Sequence, residues 1–184
     1  MNIIFINHIA VVLLVILSLV CDIKTCKIKN GIVFPFILLG VAVNSMTGGF
    51  SGALRAFAGI MLPITLLIVF FLLRMLGAGD IKLFSALGAI LGLKPVLYIM
   101  VYSFLCGGII ALILILIRKN GIQRLIHLLK YIKVSILTFS LLPYNEFGNK
   151  SDGSLFRFSY AVACGTLVFY IMAFYGQVSD FFRF

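Results

Sequence analysis

Long apolar segments make up most of this chain, and they constrain its fold more than any other feature of the sequence. Only 11% of the residues are charged and 63% are hydrophobic, whereas a soluble domain carries roughly 25% charged residues. Because a helix of about 20 apolar residues spans a bilayer, the sequence predicts one all-α membrane domain over residues 1–184, a bundle of about six transmembrane helices. The apolar segments are 3–21, 31–47, 53–73, 81–93, 96–117 and 157–177.

The first and fourth segments depart from a simple spanning helix. Residues 3–21 have no basic stretch ahead of them and no small-residue cleavage site behind them, so they are predicted to be the first span and not a signal peptide. Residues 81–93 would form a helix only about 20 Å long, against an apolar core of about 30 Å. We expect this segment either to cross a thinned region or to lie partly buried in protein.

The lysines and arginines between the segments predict the orientation of the bundle. With the N-terminus outside, only Arg55, Lys94 and Arg183 of the 15 basic residues fall in outer segments. This asymmetry predicts a multi-pass protein of the plasma (cytoplasmic) membrane, and it accounts for the net charge of +10 without a nucleic-acid partner. The basic residues on the inner side are Lys24, Lys27, Lys29, Arg74, Lys82, Arg118, Lys119, Arg124, Lys130, Lys133, Lys150 and Arg157.

The chain between the last two apolar segments is predicted to lie at the inner leaflet. In residues 120–133, apolar side chains repeat at helical spacing and polar, often basic side chains take the other face. This pattern is typical of an amphipathic interfacial helix in contact with anionic lipid. Residues 143–156 contain Pro143, Gly148 and Gly153 among polar residues, and are expected to form a cytoplasmic loop.

Two of the five acidic residues are placed at membrane depth. Glu146, Asp152 and Asp180 fall in polar segments and are expected to be solvated. Asp22 ends the first span and Asp80 begins the fourth, so the six-span topology puts both at the inner face, where they could meet. An acidic side chain at this depth is costly and therefore suggests a functional site.

A pair of carboxyl groups at this position would support acid–base chemistry. Two carboxyl groups a few ångströms apart cannot both ionise easily, so one keeps its proton. The ionised group can take a proton from water and the other can donate to a peptide carbonyl oxygen, as in aspartic peptidases. Two simpler interpretations stay open: Asp80 could cap a helix, and Asp22 could pair with Lys24.

No metal, cofactor or redox site is expected. The histidines, His8 and His127, are isolated in the sequence, and none of the four cysteines forms a Cys-x-x-Cys pair. Cys106 and Cys164 lie inside apolar segments and are predicted to be small core residues. Paired carboxyl groups would require no metal and no histidine.

The sequence around both aspartates resembles that of the type IV prepilin peptidases, a family of membrane aspartic peptidases. Residues 77–83, GAGDIKL, are similar to the G-x-G-D-[VI]-K-L stretch of that family. Residues 22–30 are similar to the aspartate and the basic-Ile-Pro-Asn stretch that link its first spans, with Lys29 where proline is usual. A weaker similarity covers residues 157–165, which lack the prolines of the family's last span and to which we assign no role.

The resemblance implies a set of site residues and a substrate. In that family the matched aspartates are the catalytic pair, which implies Asp22 and Asp80 here, with Gly77, Gly79 and Lys82 as motif support or substrate contacts. The two glycines can adopt positive φ and let the backbone approach substrate closely, and the simpler interpretation is an ordinary tight turn. The family's substrates are prepilin and pseudopilin precursors, whose short basic leader is removed at the inner membrane face.

The spacing of the first two spans is similar to that of the short form of the family, as in Tad-pilus and archaeal preflagellin peptidases. Only residues 23–30 separate these spans, and the cysteine pairs of the long bacterial form are absent, so S-adenosylmethionine-dependent methylation is not expected. The alternative class is a small transporter or proton-coupled channel with a membrane acid as relay. Two pseudo-symmetric halves with broken helices in matching positions would favour the transporter class. The sequence shows no such internal repeat.

Overall fold

The computed structural model describes residues 2–25, 28–73, 75–117 and 158–176, and the regular structure in these ranges is helical, without strands. The predicted amphipathic helix at 120–133 and the predicted loop at 143–156 lie outside the described residues. So do Glu146, Asp152, Asp180 and His127. The helices are α1 (Asn2–Thr25), α2 (Asn30–Leu72), α3 (Ala78–Leu91), α4 (Leu93–Ile117) and α5 (Phe158–Phe174).

The outer surface of the bundle is apolar. Leu38, Ile109 and Leu167, on three different helices, are 70%, 60% and 60% exposed. Three helices are long and apolar enough to cross a membrane, by length and composition: Phe5–Thr25, Asn30–Leu72 and Leu93–Leu114. The described part of the chain therefore has the physical character of an integral membrane protein, while the number of six spans stays a prediction.

Helix α2 contains a break at Gly49, where φ is 56° and ψ is −136°. A straight helix of its 43 residues would be about 65 Å long, roughly twice the apolar thickness of a bilayer. The break separates a first arm, residues 30–48, from a second arm, residues 50–72. The second arm folds back on the first. This is evident at Gly52, where a Cβ would meet the carbonyl of Asn44, eight residues earlier in the same chain. The two arms correspond to the second and third apolar segments of the sequence.

Helix α3 is enclosed by protein. All nine residues from Leu83 to Leu91 are buried. Both arms of α2 approach it through glycines: Gly40 meets the backbone of Ala89, and Gly59 meets the backbone of Gly88 so closely that neither could carry a Cβ. The expectation that the fourth apolar segment is buried in protein therefore holds. This enclosure explains how a helix of 14 residues, about 21 Å long, fits inside the bundle.

Asn44 joins the first arm of α2 to the end of α3. Its Nδ2 atom donates to the carbonyl oxygens of Ala89 and Ile90 at 2.9 and 3.1 Å, and to that of Gly40 in its own helix at 2.9 Å. The two α3 carbonyls belong to the last turn, where no N–H of the same helix can satisfy them. The side chain thus fixes the end of α3 opposite to Asp80.

Helices α4 and α5 pack closely, with Gly165 against the backbone of Ser103. The prediction that both Cys106 and Cys164 are core residues is wrong for Cys164, which is exposed, while Cys106 is half-buried. The reason is helical periodicity. Cys164 lies between Tyr160 and Leu167, on the outward stripe of α5, whereas the next residue faces α4.

The contact between Gly59 and Gly88 leads to a test of stability. We expect Gly88→Ala to destabilise the protein by about 1–3 kcal/mol, because the new methyl group would force the α2 and α3 backbones apart. Thermal unfolding in detergent measures the effect. The matched control is Gly108→Ala, since no atom lies within 4 Å of a Cβ at Gly108. Unchanged unfolding of Gly88→Ala would contradict the close packing.

Candidate active site

Asp22 lies on the buried face of α1, near the end of that helix. Its side chain is only 9% exposed. Lys24, two residues further on, is exposed and on another face of the helix, so Asp22 does not have the position of a solvated boundary residue. The residues of the buried face follow a spacing of three and four, and are Ala10, Val11, Leu14, Ser18, Cys21 and Asp22.

The hydrogen-bond partner of Asp22 comes from α5. The Ser159 hydroxyl donates to Asp22 Oδ2 at 2.5 Å, and Ser159 is 3% exposed. This distance is at the short end of the range for O–H···O bonds. Residues 157–165 had no role predicted from the sequence, so Ser159 was not among the expected site residues. The available signal was a small polar residue at the start of an apolar segment, at the same predicted depth as Asp22.

Asp80 lies in the first turn of α3 and closes that turn. Gly77 is the N-cap, with an extended backbone (φ −78°, ψ 146°), and its carbonyl accepts a bond from the Asp80 N–H at 3.1 Å. The Gly77 backbone in turn hydrogen-bonds to the Asp80 carboxylate. This reciprocal arrangement resembles a capping box, with the acid at the third helical position. The N-cap residue is therefore Gly77 and not Asp80, so the simpler interpretation of Asp80 as the capping residue is wrong, although its carboxylate accepts a bond from the Gly77 backbone.

The charge of Asp80 is linked to that of Asp22. Asp80 lies outside the three candidate spans, and burial raises its pKa from 3.8 to about 6. The hydrogen bond from Gly77 lowers this pKa, and the nearby Asp22 carboxylate raises it. Helix α1 packs against α3, so the two acids, remote in sequence, come close enough for one charge to disfavour the other.

The glycines of the GAGD stretch do not adopt the positive φ that glycine allows. Gly77 is extended and Gly79 is helical, and the described glycines with positive φ are Gly49, Gly92 and Gly176. Space is the reason for glycine here. A Cβ at Gly79 would lie 3.2 Å from the Ile28 Cβ, and one at Gly77 would lie 3.2 Å from the Asp80 carboxylate.

Lys82 has a structural contact in this part of the protein. Its Nζ donates to Asn30 Oδ1 at 3.0 Å, and Asn30 is the first residue of α2. The bond ties the start of α2 to the first turns of α3, next to Gly79 and Ile28. Lys82 therefore helps to hold the segment between α1 and α2 against the helix that carries Asp80.

The described histidine lies far from the two acids. His8 is isolated in the sequence, and in the fold its Nδ1 lies 3.0 Å from the Tyr170 hydroxyl, with the two rings meeting edge to face. It is 14 residues before Asp22 on the same helix, which corresponds to about 21 Å. Within the described ranges, no group of three or more His, Cys, Asp or Glu residues could hold a metal ion.

The fold and the site together define a class of protein: a helical membrane protein in which a buried carboxyl group, Asp22, and a half-buried one, Asp80, lie at neighbouring helix ends. The chain belongs to the type IV leader peptidase family, whose family model matches residues 9–112. The match includes Asp22 and Asp80 and ends before α5. It confirms the resemblance to the prepilin peptidases and implies a peptidase. No curated protein and no solved structure matches the chain.

The raised pKa of Asp80 predicts how stability depends on pH. Its value in the folded protein exceeds the ordinary one, so ionisation disfavours the folded state, and stability falls as the pH rises from about 4 through about 6. We therefore expect Asp80→Asn to be more stable than the wild type by about 1–3 kcal/mol at neutral pH, because the amide stays neutral.

This expectation is checked by thermal unfolding in detergent at about pH 4 and about pH 7.5, on either side of the Asp80 titration. The unfolding temperatures of the wild type and of Asp80→Asn should converge at the lower pH, where the wild-type Asp80 carboxyl group is also neutral. Equal stability at neutral pH, or a less stable variant, would contradict the burial of an ionisable Asp80.

Proposed function

We propose that this chain is a membrane aspartic endopeptidase that removes the short basic leader of type IV prepilin-like precursors, using Asp22 and Asp80 to activate water. Family membership supports a leader peptidase. The observation that carries the assignment of the pair is the packing of α1, which holds Asp22, against α3, which holds Asp80, together with the charge interaction of the two acids. The structure offers no comparable support for a transporter among the described residues.

The proposed reaction needs one proton on the pair. The ionised carboxylate takes a proton from water as the water oxygen bonds to the carbonyl carbon, and the other carboxyl group gives its proton to the carbonyl oxygen. The resulting gem-diol then collapses. Its C–N bond breaks, the leaving amine receives the proton taken from water, and a gem-diol hydroxyl returns a proton to the second carboxylate. Both groups end as they began.

The position of the two acids suits a substrate that is cut beside a membrane. Asp22 is three residues from the end of α1, and Asp80 is the third residue of α3. A prepilin-like precursor has a basic leader, which stays in water, followed by an apolar helix, which stays in the bilayer. A site at the helix ends would reach the junction between these two parts.

The distribution of basic residues supports a site at the cytoplasmic face. Lys24 and Lys29 flank the connection between α1 and α2, on the same side as Asp22. Arg55 follows the break in α2, and Lys94 follows the end of α3, on the opposite side. The positive-inside rule favours the first side as cytoplasmic, facing the anionic leaflet of the plasma membrane, once the twelve inner basic residues of the sequence are included.

The proposed pair is tested by replacing each aspartate. We expect Asp22→Asn and Asp80→Asn each to lower leader removal from a co-expressed prepilin-like protein by at least about 100-fold, because an amide can serve neither as base nor as acid. A gel shift of the substrate measures cleavage, and immunoblotting of membranes verifies accumulation. Asp152→Asn, at an acid that the sequence predicts to be solvated, is the control. Full cleavage by either test variant would reject the pair.

A pH profile of the purified enzyme tests the shared proton. The pair must retain one proton to act, and the raised pKa of Asp80 puts the loss of this proton near pH 6. We expect kcat/KM to fall on the alkaline side of about pH 6 and to fall again in acid, where both groups are protonated. A profile that stays flat from about pH 5 to about pH 9, with chemistry limiting, would count against two coupled carboxyl groups.

A further inference from the structure

The two acids of the proposed pair have different surroundings. Asp22 receives its hydrogen bond from Ser159, a side chain on another helix and 137 residues away in the sequence. Asp80 receives one from the Gly77 backbone, at the cap of its own helix. Two groups of the same chemical type take opposite roles in acid–base catalysis when their surroundings favour different protonation states.

The Ser159 contact fixes one oxygen of the Asp22 carboxyl group as a hydrogen-bond acceptor. The hydroxyl donates at 2.5 Å and the carboxylate oxygen accepts, with both side chains buried from solvent. A donor aimed at a carboxylate stabilises the ionised form, and it does so more strongly where little water competes. Around Asp80, burial outweighs the bond from Gly77 and favours the protonated form.

We propose that Ser159 is a positioning residue that holds Asp22 Oδ2 as a hydrogen-bond acceptor, so that Asp22 acts as the general base and Asp80 as the general acid. This inference rests on the proposed function. With Oδ2 held by Ser159, Oδ1 is the oxygen that takes the proton of the attacking water. Asp80 then donates its proton to the carbonyl oxygen of the scissile peptide bond.

The proton transfers balance under this assignment. Asp22 Oδ1 gains a proton from water as the new C–O bond forms, and Asp80 loses its proton to the former carbonyl oxygen. When the C–N bond breaks, the proton on Asp22 passes to the leaving amine and a gem-diol hydroxyl returns a proton to Asp80. The Ser159 hydroxyl keeps its proton throughout, so Ser159 is not a nucleophile.

The other titratable and charged groups at this end of the bundle leave Ser159 as the direct partner of Asp22. Lys82 is bonded to Asn30, and the remaining basic side chains on neighbouring elements are exposed. Among the described residues, these groups are Cys21 and Lys24 on α1, Lys29 before α2, Asp80 and Lys82 on α3, and Tyr160 on α5.

The test compares Ser159→Ala with Ser103→Ala in the leader-removal assay. Both changes remove one buried hydroxyl, but Ser103 donates to the Ile99 carbonyl of its own helix, at 2.6 Å. The acid limb is the part of the kcat/KM profile where activity falls as the pH is lowered. We expect Ser159→Ala to move this limb to higher pH by about one unit. At pH values below the limb, kcat/KM should then be about tenfold lower than in the wild type. The sign follows because a base without its donor binds protons more readily. Ser103→Ala should retain the wild-type limb.

Two conservative variants extend the test. Ser159→Thr retains a hydroxyl donor and should keep the limb at its wild-type position. Ser159→Cys has a weaker donor and should give a shift in the same direction but smaller than that of alanine. If the alanine variant does not accumulate in membranes, the cysteine variant is judged by the same criterion.

An acid limb that stays at the wild-type pH in an accumulated Ser159→Ala protein would overturn the inference, even if the rate fell equally at every pH. A limb that moved to lower pH would overturn it as well. These results differ from a failure of the proposed function, which would appear as no cleavage by the wild type or full cleavage by Asp22→Asn or Asp80→Asn. If cleavage requires both aspartates but the acid limb of the Ser159→Ala profile does not move, only the role of Ser159 is rejected and the proposed function stands.

Discussion

The rest of the structure depends on the direct contact between the backbones of α2 and α3. Helix α3 has 14 residues and is too short to cross an apolar core by itself, so protein must surround it. Gly40 and Gly59 let both arms of α2 reach its backbone, and Asn44 satisfies the carbonyls at its far end. With its sides and its far end fixed in this way, the first turn of α3, and with it Asp80, has a defined place in the bundle.

The bond from the Gly77 cap and acid–base chemistry at Asp80 are compatible, because they act on the same carboxyl group in opposite directions. The bond from Gly77 favours the ionised form, as a donor at a helix N-terminus should. Burial and the charge of Asp22 favour the protonated form, and together they prevail, so that the pKa reaches about 6. A carboxyl group balanced in this way can hold a proton near neutral pH and still release it, which a solvated aspartate cannot do.

Features that depend on local sequence were predictable, and features that depend on long-range contacts were not. The apolar segments and the stretch around Asp80 indicated the helices and the family, because hydropathy and short motifs are properties of neighbouring residues. The reason for glycine at Gly79 could not be read from its neighbours, because the constraint comes from Ile28, in the connection between α1 and α2. Cys164 was assigned to the core because apolar runs do not show which face meets lipid. Ser159 was missed because its partner lies on the first helix.

The contact between Ser159 and Asp22 matters because two identical groups need an external difference to take different roles. If the surroundings of both carboxyl groups were equal, their shared proton would lie on either one, and neither group would have a fixed role. Neither α1 nor α3 supplies the donor to Asp22; it comes from α5, beyond the residues matched by the family model. Under the proposed mechanism, the first four helices bring the acids together and the fifth decides which of them keeps the proton.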